Sequence, residues 1–338
     1  PEADLVQEGS EGTLDIPSGK LLLEVLDADY RFSRLEVLNL ADQKIEPYPL
    51  NIVDGTLFLY PSPDHRYWVL DQWPADGSGG KEAYYLTGPE IDEPLKIIEA
   101  DGISGGSWSP DSRLFAFGST MDEGIRIYDT ATGALKKLPI QLFNPSVPAF
   151  SPSGDRIAFA GGGECTADMI CDDGIFLINP DGSNEIRLGD GVFSHADADI
   201  RWTPDGSSVF AKRYYNGLSM IHKFDVATRS DTLVSSEHEQ TFNLHPSPDS
   251  RYLAFEQQDE VSGYLMIHVI GIDPQNNLPE RVVTGNGPVW SPDGKYIAYV
   301  SGDATASHIF ILEVDTGKEA RAYTMTGPEN KYPLGWLP

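Results

Sequence analysis

Basic residues are scarce in this chain, with 24 Lys and Arg against 52 Asp and Glu in 338 residues and a formal charge of −28. Such a surface repels a phosphate backbone instead of neutralising it, so no nucleic-acid partner is expected. The same charge favours bound cations, a basic protein partner or solubility at high concentration. Long apolar runs are missing too. Even Tyr264 to Ile272 is interrupted by His268, well short of the ~18 residues a membrane-spanning helix requires, and no transmembrane segment is expected. Cysteine is nearly absent. Cys165 and Cys171 lie in the Gly- and Asp-rich stretch Gly161 to Gly174, where five intervening residues can close a small disulfide in an oxidising compartment, contributing about 2 kcal/mol at most. No second Cys or His pair stands nearby at zinc-ligand spacing. The seven histidines form no H-E-x-x-H or comparable metal pair.

What the chain does have is a repeat. An aromatic or Pro, then Ser or Thr, Pro, Asp and often Gly precede an alternating apolar strand in YPSPDHRYWVL, SWSPDSRLFAF, AFSPSGDRIAF, RWTPDGSSVFA, HPSPDSRYLAF and VWSPDGKYIAY. The matching residues Pro63, Pro110, Pro152, Pro204, Pro248 and Pro292 are 47, 42, 52, 44 and 44 residues apart, a period that belongs to four-stranded propeller blades. The motif itself predicts a turn, because Ser bonds backbone at its first position, Pro presets φ at the second and Gly suits the fourth. In the last unit, strands are expected over Tyr296 to Val300, His308 to Val314 and Ala320 to Thr324, with a tight hairpin at Asp315, Thr316 and Gly317. Similar hairpin signals stand at Asp129 to Gly133, Asn179 to Ser183 and Asp225 to Arg229.

Six units become seven when the chain ends are aligned. Ile16 to Tyr48 matches the last unit, placing Pro17 46 residues before Pro63, and Trp336 and Pro338 fall 46 residues after Trp290 and Pro292. The expected fold is an all-β, seven-bladed β-propeller whose first blade is closed by the C-terminal strand, which removes open sheet edges. Residues 13–338 form that propeller and residues 1–12, acidic and unpatterned behind Pro1, read as an N-terminal tail or tether. The recurrent Trp108, Trp202, Trp290 and Trp336 are expected to pack blade against blade.

The S-P-D-G turn followed by an apolar strand resembles the WD-like repeat of TolB-type propellers and, over the same residues, the propeller domain of prolyl-oligopeptidase-type enzymes. The resemblance runs from Ile16 to Pro338. It implies an exported protein in a prokaryote, periplasmic, cell-surface or extracellular, that binds through loops and carries out no chemistry. TolB's separate N-terminal domain has no counterpart here, nor has the hydrolase domain of the oligopeptidases, so neither specific role carries over.

Catalytic constellations are weak. The G-x-S-x-G string at Gly102, Ser104 and Gly106 precedes the strand at Trp108 with no helix behind it, so it reads as a loop between blades and not as a nucleophile elbow. His195, Asp197 and Asp199 alternate before Trp202 and would share one face of a strand. His245 is expected to line the channel beside Arg201, with Tyr60, Ser107, Ala149, Val289 and Gly335 at the equivalent positions of other blades, and these do not make a histidine cluster. Glu164, Asp168, Asp172 and Asp173 form the best local carboxylate cluster, a candidate calcium site, though the twelve-residue loop of a calcium hand is absent; no other cofactor is expected. The loops opposite the S-P-D-G turns carry Trp73 and Asp76, Tyr214 and Tyr215, and Asp259 and Glu260. An acidic rim with exposed aromatics suits a protein partner, a glycan or a second copy of the chain. The enzymatic alternative is a propeller-type polysaccharide lyase or hydrolase with a metal near the channel.

Overall fold

A computed structural model describes residues 14–27, 31–73, 81–119, 124–165, 171–191, 199–215, 218–235, 241–259, 262–273, 276, 278–302, 306–325 and 328–337. Among these described residues there are twenty-eight strands in seven four-stranded sheets. In chain order they begin with β1 (Lys20–Leu26), β2 (Phe32–Asn39) and β3 (Ile45–Tyr48) of the first blade. The second blade is β4 (Thr56–Pro61), β5 (Trp68–Gln72), β6 (Glu82–Thr87) and β7 (Leu95–Ala100). The third is β8 (Ile103–Trp108), β9 (Leu114–Ser119), β10 (Gly124–Asp129) and β11 (Ala134–Lys137), and the fourth β12 (Phe143–Phe150), β13 (Ile157–Cys165), β14 (Cys171–Ile178) and β15 (Ile186–Asp190). The fifth holds β16 (Ile200–Trp202), β17 (Ser208–Tyr215), β18 (Leu218–Asp225) and β19 (Asp231–Leu233), and the sixth β20 (Thr241–Pro246), β21 (Tyr252–Gln258), β22 (Leu265–Gly271) and β23 (Arg281–Thr284). The seventh is β24 (Asn286–Trp290), β25 (Tyr296–Gly302), β26 (Ser307–Glu313) and β27 (Lys318–Thr324). The last strand, β28 (Asn330–Leu337), pairs antiparallel with β1, so the C-terminus completes the first blade in the order β28-β1-β2-β3. The seven blades and this closure are as the repeat predicts.

The chain falls into two compact units, one holding residues up to Tyr48 with Ser247 onward, the other Pro49–Pro246. Within each, the apolar core lies between successive blades. In the second unit Ala158, Ala160, Ile175 and Leu177 of the fourth blade meet Ile200, Trp202, Val209 and Ala211 of the fifth. In the first, Leu21, Leu23 and Leu38 meet Ala298, Ile309 and Ile311 of the seventh. Strands alternate because successive side chains point to opposite faces and each face meets a neighbouring blade, so the second strands are buried almost throughout.

The repeated turn is a small hydrogen-bond machine. Ser109 Oγ donates to the Asp111 carboxylate and accepts from the Leu114 N–H at 2.8 Å, while Asp111 accepts from the Arg113 N–H and the Ser112 N–H closes the turn on the Ser109 carbonyl. Ser62 with Asp64, Thr203 with Asp205, Ser247 with Asp249 and Ser291 with Asp293 repeat it. In the fourth blade the acid is displaced and Asp155 takes the Ser151 hydroxyl instead. The fourth turn position adopts left-handed φ in the second to seventh blades, with glycine at Gly154, Gly206 and Gly294 but also at His65, Ser112 and Ser250 with φ near 60°, which type I turns closing into a bulge require.

The four recurrent tryptophans pack between blades as expected. Trp108 Nε1 donates to the Tyr60 carbonyl at 2.8 Å, Trp202 Nε1 to Ala149 at 2.9 Å and Trp336 Nε1 to Val289 at 3.3 Å. Each indole thus ties an inner strand to that of the preceding blade, and Trp290 stacks on Tyr252. The G-x-S-x-G residues differ from expectation, because Ser104 and Gly106 lie on β8 itself. A bulge between them puts Gly105 at φ 51°, and a Cβ at Gly106 would stand 2.1 Å from the Phe115 ring. The string is explained by that contact and that bulge.

Candidate functional site

Two places in the Pro49–Pro246 unit combine accessibility with chemistry. The first lies where inner strands approach their S-P-D-G turns. Tyr60 of β4, Ser107 of β8, Ala149 of β12 and Arg201 of β16, which occupy one repeat position, line a single open pocket of about 460 Å³ together with Trp108, Phe150 and Trp202. Arg201 is held on three sides. Its Nε donates to the Leu244 carbonyl at 3.1 Å, Nη1 to its neighbour Ile200 at 3.3 Å, and Nη2 pairs with Asp199 Oδ1 at 3.1 Å. The other oxygen of Asp199 accepts the Leu244 N–H. His245 follows beside this group. Burial, and then the adjacent Arg201 charge, push its pKa down to about 4 against the opposing pull of Asp199, so the ring is neutral at physiological pH. His245 stands by Arg201 as expected but is not among the residues that line the pocket, and Asp199 serves that arginine. His195 and Asp197 lie outside the described residues.

The second place is the opposite end of the second blade. A bulge between Thr56 and Phe58 leaves Leu57 42% and Phe58 57% exposed, and Trp73, directly after β5, is 44% exposed. The Trp73 N–H donates to the Gly55 carbonyl at 3.0 Å and Gln72 Nε2 to the Asp54 carbonyl, so the two segments are joined. Beneath them Asp71, paired across the strands with Phe58, is only 4% exposed. Burial, reinforced by the nearby Glu82 charge, raises its pKa to about 7 although the Trp73 side chain bonds it. Glu82 is raised in turn by its own burial. The sequence reading passed over Asp71; an acid in the middle of the apolar stretch WVLDQ was the signal available.

The other sequence candidates stay apart. Asp259, in the other unit, caps its own loop, accepting from Ser262 Oγ at 3.0 Å, its N–H bonded to the Tyr264 carbonyl. Tyr214 and Tyr215 lie on β17 opposite Ser219 and Leu218, their side chains outside the described residues, as are Asp76 and Glu260. The backbones of Cys165 and Cys171 are direct cross-strand partners on β13 and β14, and Gly162 pairs with Asp173. Asp173 is buried and its carbonyl accepts from Arg187 Nη2 at 2.8 Å. The side chains of Glu164, Cys165, Cys171 and Asp172, and all of Asp168, lie outside the described residues. Among those described, no group of three or more His, Cys, Asp or Glu is arranged to hold a metal ion, and no helix is long and apolar enough to cross a membrane.

With this geometry in hand, comparison with solved structures gives matches along nearly the whole chain. TolB from Acinetobacter baumannii superposes with a TM-score of 0.51 at 15% identity, covering 90% of this chain and 78% of its own. A provisionally named 6-phosphogluconolactonase from Bacteroides fragilis gives 0.58 at 14% identity, covering 94% and 98%. The Cps50 (Swd1) β-propeller domain of Myceliophteria thermophila gives 0.54 at 14%, covering 82% and 89%. The fold is that of a TolB-like and WD40-type β-propeller. No family model matches the sequence, and no curated protein matches it. Because these identities are low and the neighbours carry dissimilar names, the propeller's role rests on its own sites.

Proposed function

We propose that this propeller is a non-catalytic binding module, exported to the envelope or beyond, that recognises a protein partner through the loop end of its second blade. The observation that carries the reading is the joined apolar surface of Leu57, Phe58 and Trp73, each more than two-fifths exposed, in a chain of charge −28. Large aromatic side chains at the surface of a rigid sheet offer contact area at little entropic cost, and an acidic rim selects a basic complement. Asp76, Tyr214, Tyr215, Asp259 and Glu260 remain sequence candidates for partner contacts; a glycan or a second copy of the chain are the other candidate occupants of the second-blade surface. Export is supported by the TolB-like fold and by the facing positions of Cys165 and Cys171, since directly paired strand residues stand within disulfide reach. Calcium at Glu164, Asp168, Asp172 and Asp173 would be an accessory of that loop.

The test is site-specific photo-crosslinking from position 73 in the native host. A discrete adduct that disappears with Phe58→Ser supports the reading, and the absence of any adduct sinks it. The enzymatic alternative, a polysaccharide lyase or hydrolase, finds a foothold in the pocket around Arg201; turnover of a polysaccharide that survives Phe58→Ser and is lost with Arg201→Lys would replace the binding reading.

A further inference from the structure

We infer that the pocket formed by the inner strands of the second to fifth blades is a binding site for the carboxylate of a small organic acid, held in a fork by Arg201. Arginine carries five N–H groups in a planar array. The Leu244 carbonyl takes that of Nε, the Ile200 carbonyl one of Nη1 and Asp199 one of Nη2, which leaves one N–H on each terminal nitrogen. Two donors on adjacent nitrogens match the two oxygens of a carboxylate. The guanidinium lines the pocket and its side chain keeps 46% exposure, so the array is open to a ligand while its backbone bonds fix its orientation beforehand. An arginine immobilised in advance loses little freedom on binding.

The remaining walls define the body of the acid. Trp108 and Trp202 have already spent their indole N–H groups on Tyr60 and Ala149 carbonyls, so they offer carbon surface only, as does Phe150. Ser107 Oγ accepts the Phe150 N–H and donates to the Trp108 carbonyl at 3.5 Å, so both of its roles are taken. The Tyr60 hydroxyl bonds to Tyr84, and Tyr84 in turn to the Gly105 carbonyl. The histidine in the lining is His65, whose pKa burial lowers against the pull of Asp64; His245, beside Arg201, is neutral. Tryptophan and phenylalanine walls around one forked cation fit a compact acid with an aromatic or aliphatic body within about 460 Å³. A doubly charged phosphate is disfavoured, because Asp199 already balances Arg201 and the chain as a whole is strongly negative.

The measurement is calorimetric or NMR titration of the full chain with benzoate, its neutral isostere benzamide and phenyl phosphate. Benzoate should bind at least tenfold more tightly than either of the others, and Arg201→Lys, which keeps the charge and removes the fork, should weaken benzoate at least fivefold while leaving benzamide unchanged. Equal affinity for benzoate and benzamide on the unaltered protein overturns the inference whatever the variant does. Trp73→Ala should leave benzoate binding unaffected, which separates failure of this site from failure of the protein-docking face. An acetylated peptide with a free C-terminus that outbinds both benzoate and its own amidated form would identify the acid as a chain end; benzoate outbinding the peptide would identify it as a free metabolite-sized acid.

Discussion

Lys331 on β28 sets its ammonium on the carboxylate of Glu36 on β2, reaching diagonally across β1, where Val25 pairs with Lys331 on one side and Arg34 on the other. Both partners are 7% exposed, and Arg34 bonds Glu36 and Glu329 together. The second and last strands of the chain are therefore tied by a charge network that crosses β1, to which the ladder joins them both. Removing one member of a buried pair strands its partner.

Lys331→Met should cost about 3 kcal/mol, at the low end for a broken buried pair because Arg34 still faces Glu36. Lys331→Met with Glu36→Leu should recover at least half of that loss. Denaturant midpoints of the two single variants and the double variant decide it; a double variant as unstable as the worse single one would show that the pair adds nothing beyond packing.

Much of this closure was legible in the sequence. Proline spacing marks each turn, and Trp336 echoes Trp290 because both fill the same gap between blades, so the pairing of β28 with β1 followed from repeat alignment. The ionised groups were not legible in the same way. Asp71, Lys212 and Glu256 stand at one position of the second strand, where alternation calls for an apolar residue, and each is nearly buried. Lys212 Nζ donates to the Thr241 carbonyl, and Glu256 accepts from the Gly287 N–H. Inner strands are bulged near this level, at Gly105 and Gly287 for instance, and a bulge leaves backbone groups in need of partners. A bulge has no fixed sequence mark, so the reason for the charges stayed hidden. Arg201 was visible as a channel-lining residue, but its immobilisation depends on Leu244 in the next inner strand, which no local pattern predicts.

Asp71 gives a pH dependence with a definite sign. Its carboxyl is held near pKa 7 by burial, above the unfolded value, so between about pH 4 and pH 7 the folded chain binds more protons there than the unfolded chain and stability falls as pH rises. Asp71→Asn should stabilise the protein by roughly 2–4 kcal/mol at pH 8 and change little at pH 4. Thermal unfolding across pH 4 to 8 tests this; an equal gain at both ends would assign the effect to packing. Glu24, also raised to about 7 by burial, predicts the same slope for Glu24→Gln.

The turn carboxylates act in the opposite sense. Burial works to raise Asp64, but bonds from the Arg66 N–H, Ser62, the Arg66 side chain and Ser112 outweigh it and bring its pKa to about 2. Its contribution is complete above the unfolded value near 4 and is lost as pH falls towards 2. The unaltered protein should therefore lose stability steeply below pH 4, and Asp64→Asn should flatten that limb while lowering stability at pH 7. Acid titration followed by circular dichroism reads both; an unchanged acid limb in the variant would remove Asp64 from the account.

Ser109 offers the cleanest test of the turn itself, since its hydroxyl is buried and joins two partners, the Asp111 carboxylate and the Leu114 N–H. Ser109→Ala leaves that N–H and one carboxylate oxygen without the hydroxyl and should cost about 1–3 kcal/mol. Thr203, in the equivalent place, makes the same bonds through Oγ1 to Asp205 and the Ser208 N–H, so Thr203→Ser should cost under about 1 kcal/mol because only a methyl group is lost. Paired denaturation curves for the two variants compare removal of the hydroxyl with its retention. If both lose the same amount, the turn is held by proline and the backbone bond alone, and the serine in the repeat serves some other end.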